Sequence, residues 1–336
     1  MTLTYGHMPL DRCTNQRKNK RWLAAEFNHA STLFCVINEG MSLFKDTGDF
    51  SSVYLTKAQL DSLSVASCIY LGKGNLGEKH KDKVSVFAVD FNKLRFSTQA
   101  ALETLGQWQA LRQATPNLTP IDASIQALAK GLIHWHISHQ YCGLCGNICH
   151  AIEAGHARRC TECRNLSFPR TDPAVIMLVE KQFPDGIARC LLGRQASWKA
   201  GMYSTLAGFV DPGETLEAAV IREVLEETAI KVELPQYITS QPWPFPASIM
   251  LGFTAVATSE IIDITKDDLE DAQWFSREQL EHFCVNGASN VSGNSNESEN
   301  TTKISSANSN KFHMSSTDSI SSYLITAWKN KQIGCY

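Results

Sequence analysis

The chain has 336 residues, of which 43% are apolar, and its formal net charge at pH 7 is −3. This length is sufficient for two or three domains, each with its own core, and the near-neutral charge argues against a broad electrostatic surface for nucleic acid. The longest apolar runs, such as residues 174–179, are far shorter than the roughly 20 residues that cross a bilayer, which argues against a membrane protein.

Targeting signals are the next class to consider. The basic run at residues 17–21 is not followed by the long apolar stretch of a secretory signal. The final residues, Gly334-Cys335-Tyr336, do not form a peroxisomal address. We therefore expect a cytoplasmic enzyme, in which the eleven cysteines are free thiols or metal ligands.

Residues 1–139 are expected to form an α+β domain. Short apolar segments at 33–37 and 84–89 are typical of strands. From about residue 122 to 139, apolar side chains recur every three or four positions, which predicts a helix. Its histidines, His134, His136 and His139, are expected to pack or to face water. This part of the chain shows no catalytic constellation.

Two Cys-x-x-Cys pairs follow, Cys142 with Cys145 and Cys160 with Cys163. Each pair can form a tight knuckle whose backbone amides support two thiolates, and two knuckles complete a tetrahedral zinc site without an open position for chemistry. We expect a structural Zn²⁺ in a ribbon at residues 140–170. Redox pairs or unligated thiols are the alternatives, and Cys149 is expected to be a bystander.

Residues 171–336 are expected to form a third domain. Strand patterns at 174–180, 188–193, 203–210 and 250–257 and around Trp274, with a helical pattern after the third, predict an α/β/α sandwich around a mixed sheet. The fold class predicted for the whole chain is thus α+β and multidomain.

Residues 286–319 are half Ser and Asn, which favours a disordered insertion before a final helix at 320–331. A regulated loop is the alternative.

The most informative segment is the helical pattern at residues 216–227. Glu223 and Glu227 continue the apolar stripe that Leu216 and Val220 begin, and Glu226 lies beside it. Like charges this close repel unless a cation neutralises them, and Mg²⁺ takes oxygen ligands together with substrate phosphate. A solvated acidic face is the alternative, but the two glutamates extend the apolar stripe instead of opposing it.

Such a cluster suits metal-dependent hydrolysis of a pyrophosphate by water. Downstream, the segment Ser240-Gln-Pro-Trp-Pro-Phe-Pro-Ala-Ser248 alternates prolines with two aromatic residues, which gives a stiff extended segment, here called the proline–aromatic segment. It could be a ligand for a partner domain, an irregular core edge, or a platform that frames a nucleotide ring.

The pattern Gly208-x5-Glu214-x7-Arg222-Glu223-Val-x-Glu-Glu-x-x-Ile resembles the signature of the Nudix hydrolases. One position differs, because the family usually has glycine where this chain has Ala229. Glycine there normally supplies a left-handed helix end, and alanine in that conformation costs about 1 kcal/mol.

The resemblance to Nudix hydrolases implies how the Mg²⁺ or Mn²⁺ site is built. Glu223, Glu227 and the backbone carbonyl of Ala207 correspond to metal ligands. Glu226 corresponds to a ligand or a general base. Asp268 occupies a position where the family commonly has a metal-binding glutamate, so its shorter side chain places the ligand farther out or adds a bridging water.

The zinc pairs, the run Gly201–Val210 and the proline–aromatic segment are together similar to the NADH pyrophosphatase branch of this family. The similarity is strong over residues 141–275. It implies cleavage of the NAD(H) pyrophosphate to nicotinamide mononucleotide and AMP, removal of NAD caps from RNA, and a homodimer.

The same similarity implies the substrate contacts. Phe168 and Phe209 correspond to aromatic ring contacts, and Ser321 to a small contact residue. The residues implied to line the dinucleotide pocket are Gln241, Pro242, Trp243, Pro244, Phe245, Pro246, Ala247 and Ser248.

Two other functions are compatible with the sequence. One is hydrolysis of ADP-ribose or dinucleoside polyphosphates, against which the segment around Trp243 argues. The other is a zinc-ribbon nucleic-acid-binding protein with an inactive Nudix scaffold, which Arg158, Arg159 and Arg164 favour slightly and the intact glutamates oppose.

Overall fold

The computed structural model describes residues 3–45, 50–60, 63–77, 82–285 and 312–336. The chain forms two compact units. The first comprises residues 1–172 together with 241–249, and the second comprises residues 173–240 and 250–336. Within the described residues, no helix combines the length and the apolar character required to cross a membrane.

The N-terminal part of the first unit is an α+β domain, as predicted. Its elements are α1 (Lys20–Asn28), β1 (Leu33–Asn38), β2 (Met41–Lys45), β3 (Ser51–Ser52), β4 (Leu55–Thr56), β5 (Cys68–Gly74), β6 (Val84–Asp90), α2 (Phe96–Leu102), β7 (Gln107–Ala110), α3 (Leu111–Ala114) and α4 (Pro120–Ser138).

The sheet of this domain has the strand order β3-β2-β1-β6-β5, with β4 paired to β1 and β7 to β2. The central strands β1 and β6 are parallel and bury side chains on both faces. On one face Phe34 and Phe87 pack with α1, and on the other Cys35 and Val86 pack with α4. Burial on both faces explains the continuous apolar runs in these strands.

The zinc-ribbon part of the first unit is a small antiparallel sheet of β8 (Cys149–Ile152), β9 (Ala157–Cys160) and β10 (Leu166–Ser167). The central strand is β9.

The second unit contains the predicted α/β/α sandwich. Its elements are β11 (Asp172–Gln182), β12 (Ala188–Gln195), β13 (Met202–Tyr203), β14 (Leu206–Phe209), α5 (Leu216–Thr228), β15 (Val232–Trp243), β16 (Ser248–Ala257), β17 (Leu269–Ser276), α6 (Arg277–Glu281), β18 (Cys284–Val285), β19 (His313–Met314) and α7 (Ile320–Lys329). The end residues Asp172, 241–243 and 248–249 of three of these strands group with the first unit.

The main sheet has the order β15-β16-β11-β12-β17, and β14 also pairs with β11. Helix α5 packs Val220 and Val224 against Val175 and Met177 on one face of β11. On the opposite face Glu180 accepts a hydrogen bond of 2.7 Å from the indole of Trp328 in α7. Helices on both faces of a sheet confirm the predicted sandwich.

A second sheet holds the end of the predicted insertion. Strand β19 lies parallel to both β13 and β18, Phe312 stacks on Phe283, and Met314 is buried. Residues 312–319 are therefore part of the fold, because Phe312 and Met314 contribute apolar area to it. Residues 286–311 lie outside the described residues, and disorder there stays a prediction. Helix α7 ends at Lys329, two residues before the predicted end.

Candidate active site

The four predicted zinc ligands meet at one point. The sulfur atoms of Cys142, Cys145, Cys160 and Cys163 all lie within 4.8 Å of one another. The pairs Cys142–Cys163 and Cys145–Cys160 are separated by 3.6 and 3.4 Å. Four thiolates around Zn²⁺ at about 2.3 Å have comparable separations, so this donor set fits a closed structural site.

Backbone amides support the thiolates, as a knuckle requires. The amides of Leu144 and Cys145 lower the pKa of Cys142, and that of Asn147 lowers the pKa of Cys145 to about 6. Cys149 lies outside the group of four, with its thiol buried and its pKa raised by that burial. Its expected role as a bystander agrees with this position.

Among the described residues, the helix histidines are not part of the group of four thiols. His136 bonds the carbonyl of Gly155 through Nε2 at 2.7 Å, and its Nδ1 accepts from Arg158 at 3.0 Å. Arg158 is buried and also donates to the Cys149 carbonyl at 2.6 Å. The interpretation of Arg158 as a nucleic-acid contact is therefore wrong, because its guanidinium is used inside the unit.

Helix α5 positions the acidic residues. Thr215 caps its first turn by accepting a hydrogen bond from the amide of Ala218, and Ala219, Val220 and Val224 are buried. The helix ends at Ala229, which adopts the left-handed conformation with φ 58°. The alanine therefore keeps the geometry that glycine gives in the family, despite the steric cost of its Cβ.

Gly208 lies directly against the carboxyl group of Glu223. A Cβ built on Gly208 would overlap the carboxyl group of Glu223. Gly208 belongs to β14, which pairs with β11 so that Ala207 lies opposite Ile176. A residue without a side chain is thus required here for the Glu223 carboxylate to approach the strand.

Arg222 organises the acids that surround it. Its guanidinium contacts both carboxylate oxygens of Glu214 at 2.9 Å, Glu223 at 2.9 Å and Glu226 at 3.0 Å. It also donates to the carbonyl of Phe209 at 2.8 Å. These contacts raise the pKa of Arg222, and burial raises the pKa of Glu223 even though Arg222 opposes that shift.

Glu227 forms no ion pair with any residue that the structure describes. Burial, followed by the charges of Asp267 and Glu223, raises its pKa to about 8. Among the described residues its Oε2 is buried without a hydrogen-bond partner. A carboxylate in this situation is stabilised by a cation, so Glu223 and Glu227 fit a divalent metal.

Asp268, the predicted outer ligand, is exposed in the turn that precedes β17. The charge felt most strongly by Glu227 is that of the neighbouring Asp267. Sequence reasoning did not identify Asp267, although the adjacent acids in this loop were a signal for it. The loop therefore offers the site a second carboxylate.

The proline–aromatic segment belongs to the first unit. Gln241 is fully buried and donates to the carbonyl of Thr4 at 3.1 Å. The rings of Trp243 and Phe245 lie 6.4 and 5.9 Å from that of Tyr5 in edge-on contacts. Arg112 lies 5.1 Å from the Trp243 ring centroid.

A cavity of about 420 Å³ lies beside this segment. The residues of the segment that line it are Pro242, Trp243, Pro244, Ala247 and Ser248. Five of the eight predicted pocket residues thus border a cavity, whereas Gln241 and Phe245 pack against the N-terminal part of the unit.

The remaining predicted contacts differ in exposure. Phe168 and Phe209 are each 59% exposed. Ser321 is only 3% exposed, and its hydroxyl bonds Ser204 Oγ at 2.8 Å and the amide of Thr205 at 3.1 Å. In this structure Ser321 links α7 to the segment before β14, and its contact with substrate stays a prediction.

Comparisons with known proteins agree with this geometry. The NUDIX domain family matches residues 170–291, and the NADH pyrophosphatase zinc ribbon domain matches residues 137–168. The NAD-capped RNA hydrolase NudC of Deinococcus radiodurans is 38% identical over 249 residues, covering 74% of this chain and 81% of the relative.

Two animal proteins are also similar. The NAD-capped RNA hydrolase NUDT12 of Homo sapiens is 34% identical over 315 residues, covering 83% of this chain and 67% of the relative. The mitochondrial NAD(P)H pyrophosphatase NUDT13 of Mus musculus is 37% identical over 247 residues, covering 67% of each chain. The chain belongs to the Nudix hydrolase family, in the NADH pyrophosphatase branch that carries a zinc ribbon.

Proposed function

We propose that this protein hydrolyses the pyrophosphate bond of NAD(H), giving nicotinamide mononucleotide and AMP, and that it also removes NAD caps from RNA. The observation that carries the proposal is the pair Glu223 and Glu227, because Oε2 of Glu227 is buried and has no hydrogen-bond partner in the part of the chain that the structure describes. Relatives named as NAD-capped RNA hydrolases and as an NAD(P)H pyrophosphatase support the choice of substrate.

Glu223, Glu227 and the Ala207 carbonyl would hold Mg²⁺ or Mn²⁺, with Asp267 or Asp268 near the outer side. A divalent ion bound there supplies charge neutralisation on the phosphate oxygens and activation of a water. Arg222 donates hydrogen bonds to Glu223, Glu226 and the Phe209 carbonyl, and these bonds fix the positions of the two glutamates. Gly208 leaves room for the Glu223 carboxylate.

Glu226 is the residue best placed to accept a proton from water. Its side chain is 59% exposed, and its one described contact is a hydrogen bond from Arg222. The oxygen of water bonds to phosphorus, its proton passes to the carboxylate, and the bridging P–O bond breaks. The two products are mononucleotides, and no covalent intermediate with the protein is required.

Phe209 follows Gly208 directly and is exposed, so its ring can frame a nucleotide base. We also propose that the protein acts as a homodimer whose pocket includes the proline–aromatic segment and Phe168. The expected compartment is the cytoplasm.

The test is product analysis with zinc-loaded protein. NADH, NAD⁺, ADP-ribose and an NAD-capped RNA are each incubated with Mg²⁺ or Mn²⁺, and the products are separated by chromatography. AMP and reduced nicotinamide mononucleotide are expected from NADH, and 5′-phosphorylated RNA from the capped RNA. Folded protein that cleaves ADP-ribose but neither NADH nor capped RNA would contradict the proposal.

A further inference from the structure

One face of the zinc ribbon carries side chains that point to solvent. Leu166, Arg159 and His150 lie opposite one another across β10, β9 and β8. Ile148 lies two residues before His150 and is bridged to Tyr141. Paired residues, and alternate residues of one strand, share a face of a sheet. These five residues are here called the exposed ribbon face.

Three of the five side chains of this face are large and apolar, and yet they are exposed. Tyr141, Ile148 and Leu166 are 69%, 48% and 43% exposed, and Arg159 and His150 are exposed as well. Six of the fifteen large apolar side chains that are exposed among the described residues lie within residues 137–168. Concentration of exposed apolar area in one small module marks an interaction surface.

The opposite face of the ribbon is already occupied. Arg158 and Cys160 are buried there, and Arg158 bonds His136 and the carbonyl of Cys149. The chain therefore uses Arg158 and Cys160 for its own packing and leaves the exposed ribbon face available for a partner, except at Ala157, which lies on that face of β9 and is buried.

The side chains of the exposed ribbon face indicate what kind of partner binds there. It combines an aromatic ring and two aliphatic side chains with Arg159 and His150, and none of the five residues is acidic. An aromatic ring beside a guanidinium group suits single-stranded nucleic acid, whose bases stack and whose phosphates pair with guanidinium groups. A purely apolar protein partner would gain nothing from the two basic side chains.

One of the predicted substrate contacts follows this face closely along the chain. Phe168 lies two residues beyond Leu166 and is 59% exposed. We propose that the exposed ribbon face binds the single-stranded RNA that follows the NAD cap. This inference rests on the proposed function, and it assigns a second contact surface to the same substrate.

The test measures RNA binding separately from hydrolysis. The probe is a fluorescein-labelled, uncapped, unstructured 20-nucleotide RNA, and binding is followed by anisotropy with the full chain. In the double variant Tyr141→Ser/Arg159→Ser we expect the Kd to rise at least about tenfold, through loss of one stacking platform and one phosphate contact. The slope of log Kd against log salt should fall by about 0.7.

The matched control changes the same kinds of residue elsewhere on the surface. Phe96 is 84% exposed, and Lys93 is exposed nearby. Lys93→Ser/Phe96→Ser should leave the Kd within about twofold. Both double variants should keep wild-type zinc content and wild-type turnover of NADH, and KM for NAD-capped RNA should rise only in the ribbon variant.

Three outcomes would overturn the inference. One is unchanged RNA affinity in the ribbon variant, and another is wild-type protein that does not bind the RNA. The third is conversion of a wild-type dimer to a monomer by Tyr141→Ser/Arg159→Ser, which would assign the face to a second copy of the chain. NADH cleavage is measured in parallel, so failure of the proposed function is recognised independently.

Discussion

The carboxyl group of Glu223 occupies the space in which a β-carbon of residue 208 would lie. Glycine at this position is therefore required by the position of the Glu223 carboxylate, which cannot move away without leaving Arg222, 2.9 Å distant. We expect Gly208→Ala to lower kcat on NADH by at least about tenfold, because the carboxylate must shift by more than a bond length. Steady-state kinetics measure this effect.

The control for Gly208→Ala is Gly143→Ala. A Cβ on Gly143 meets nothing within 4 Å. This variant should keep wild-type kcat. Equal activity of the two variants would refute the steric argument.

Glu227→Gln should lower kcat by at least about 100-fold, because it removes a charged ligand of the proposed metal. In metal-free buffer the same variant should unfold at a temperature no lower than the wild type, since a neutral amide avoids both the cost of burying a charge and the repulsion from Asp267 and Glu223. Kinetics and thermal unfolding separate the two effects. Glu233→Gln, at an exposed position of β15, is the matched control and should change neither.

Arg222→Lys should reduce kcat/KM by at least about tenfold and lower the midpoint of thermal unfolding. Lysine cannot reproduce the five hydrogen bonds that the guanidinium makes to Glu214, Glu223, Glu226 and Phe209. The comparison is Arg189→Lys, which alters a pair with Asp185 in which the two side chains are 23% and 46% exposed. Surface pairs contribute little, so this second variant should behave like the wild type.

Cys145→Ser should lose zinc, because the hydroxyl is a poor substitute for a thiolate whose pKa lies near 6. Without the ion, the ribbon should unfold separately from the rest of the first unit. Cys149→Ala should retain zinc, since its sulfur lies outside the group of four. Zinc content after denaturation in a chromogenic chelator, and thermal unfolding, provide the measurements. Zinc retention by Cys145→Ser would exclude this residue as a ligand.

Protonation of His156 should make the folding stability of the protein depend on pH over a defined range. Burial, reinforced by the charges of Arg17 and Arg12, lowers its pKa to about 4, while Nε2 donates to the carbonyl of Tyr70 at 2.6 Å. The unfolded chain, with a pKa near 6.5, binds the proton more readily, so folding stability falls as the pH drops from 6.5 toward 4. Lowering the pH from 7.5 to 5 should reduce the free energy of unfolding by about 1–2 kcal/mol through this residue.

His156→Gln keeps a side-chain N–H for Tyr70 but cannot titrate. Urea unfolding at pH 7.5 and pH 5 should therefore show a smaller loss of stability in His156→Gln than in the wild type. His134→Gln, at an exposed position of α4, should show the wild-type loss. Identical pH dependence in all three proteins would contradict the assignment of a buried, neutral His156.

Much of the fold could be predicted because it depends on local patterns. The continuous apolar runs of β1, β6 and β11, the stripe of α5 and the two cysteine pairs are periodic or fixed in spacing, and the structure confirms each. The end of the insertion was predicted less well. Phe312 and Met314 are isolated apolar residues in a polar context, and only their packing beside Phe283 and Tyr203 reveals that they belong to the fold.

The sequence by itself determined the family, the zinc ligands and the glutamates of α5, because helical periodicity and short spacings fix which side chains share a face. Tertiary structure decided the environment of each group. It placed Glu223 against Gly208 and turned Arg158 inward while Arg159 stayed in solvent. It also buried Oε2 of Glu227 without a hydrogen-bond partner from any residue that the structure describes. These properties depend on contacts between residues far apart in the chain, and no local pattern records them.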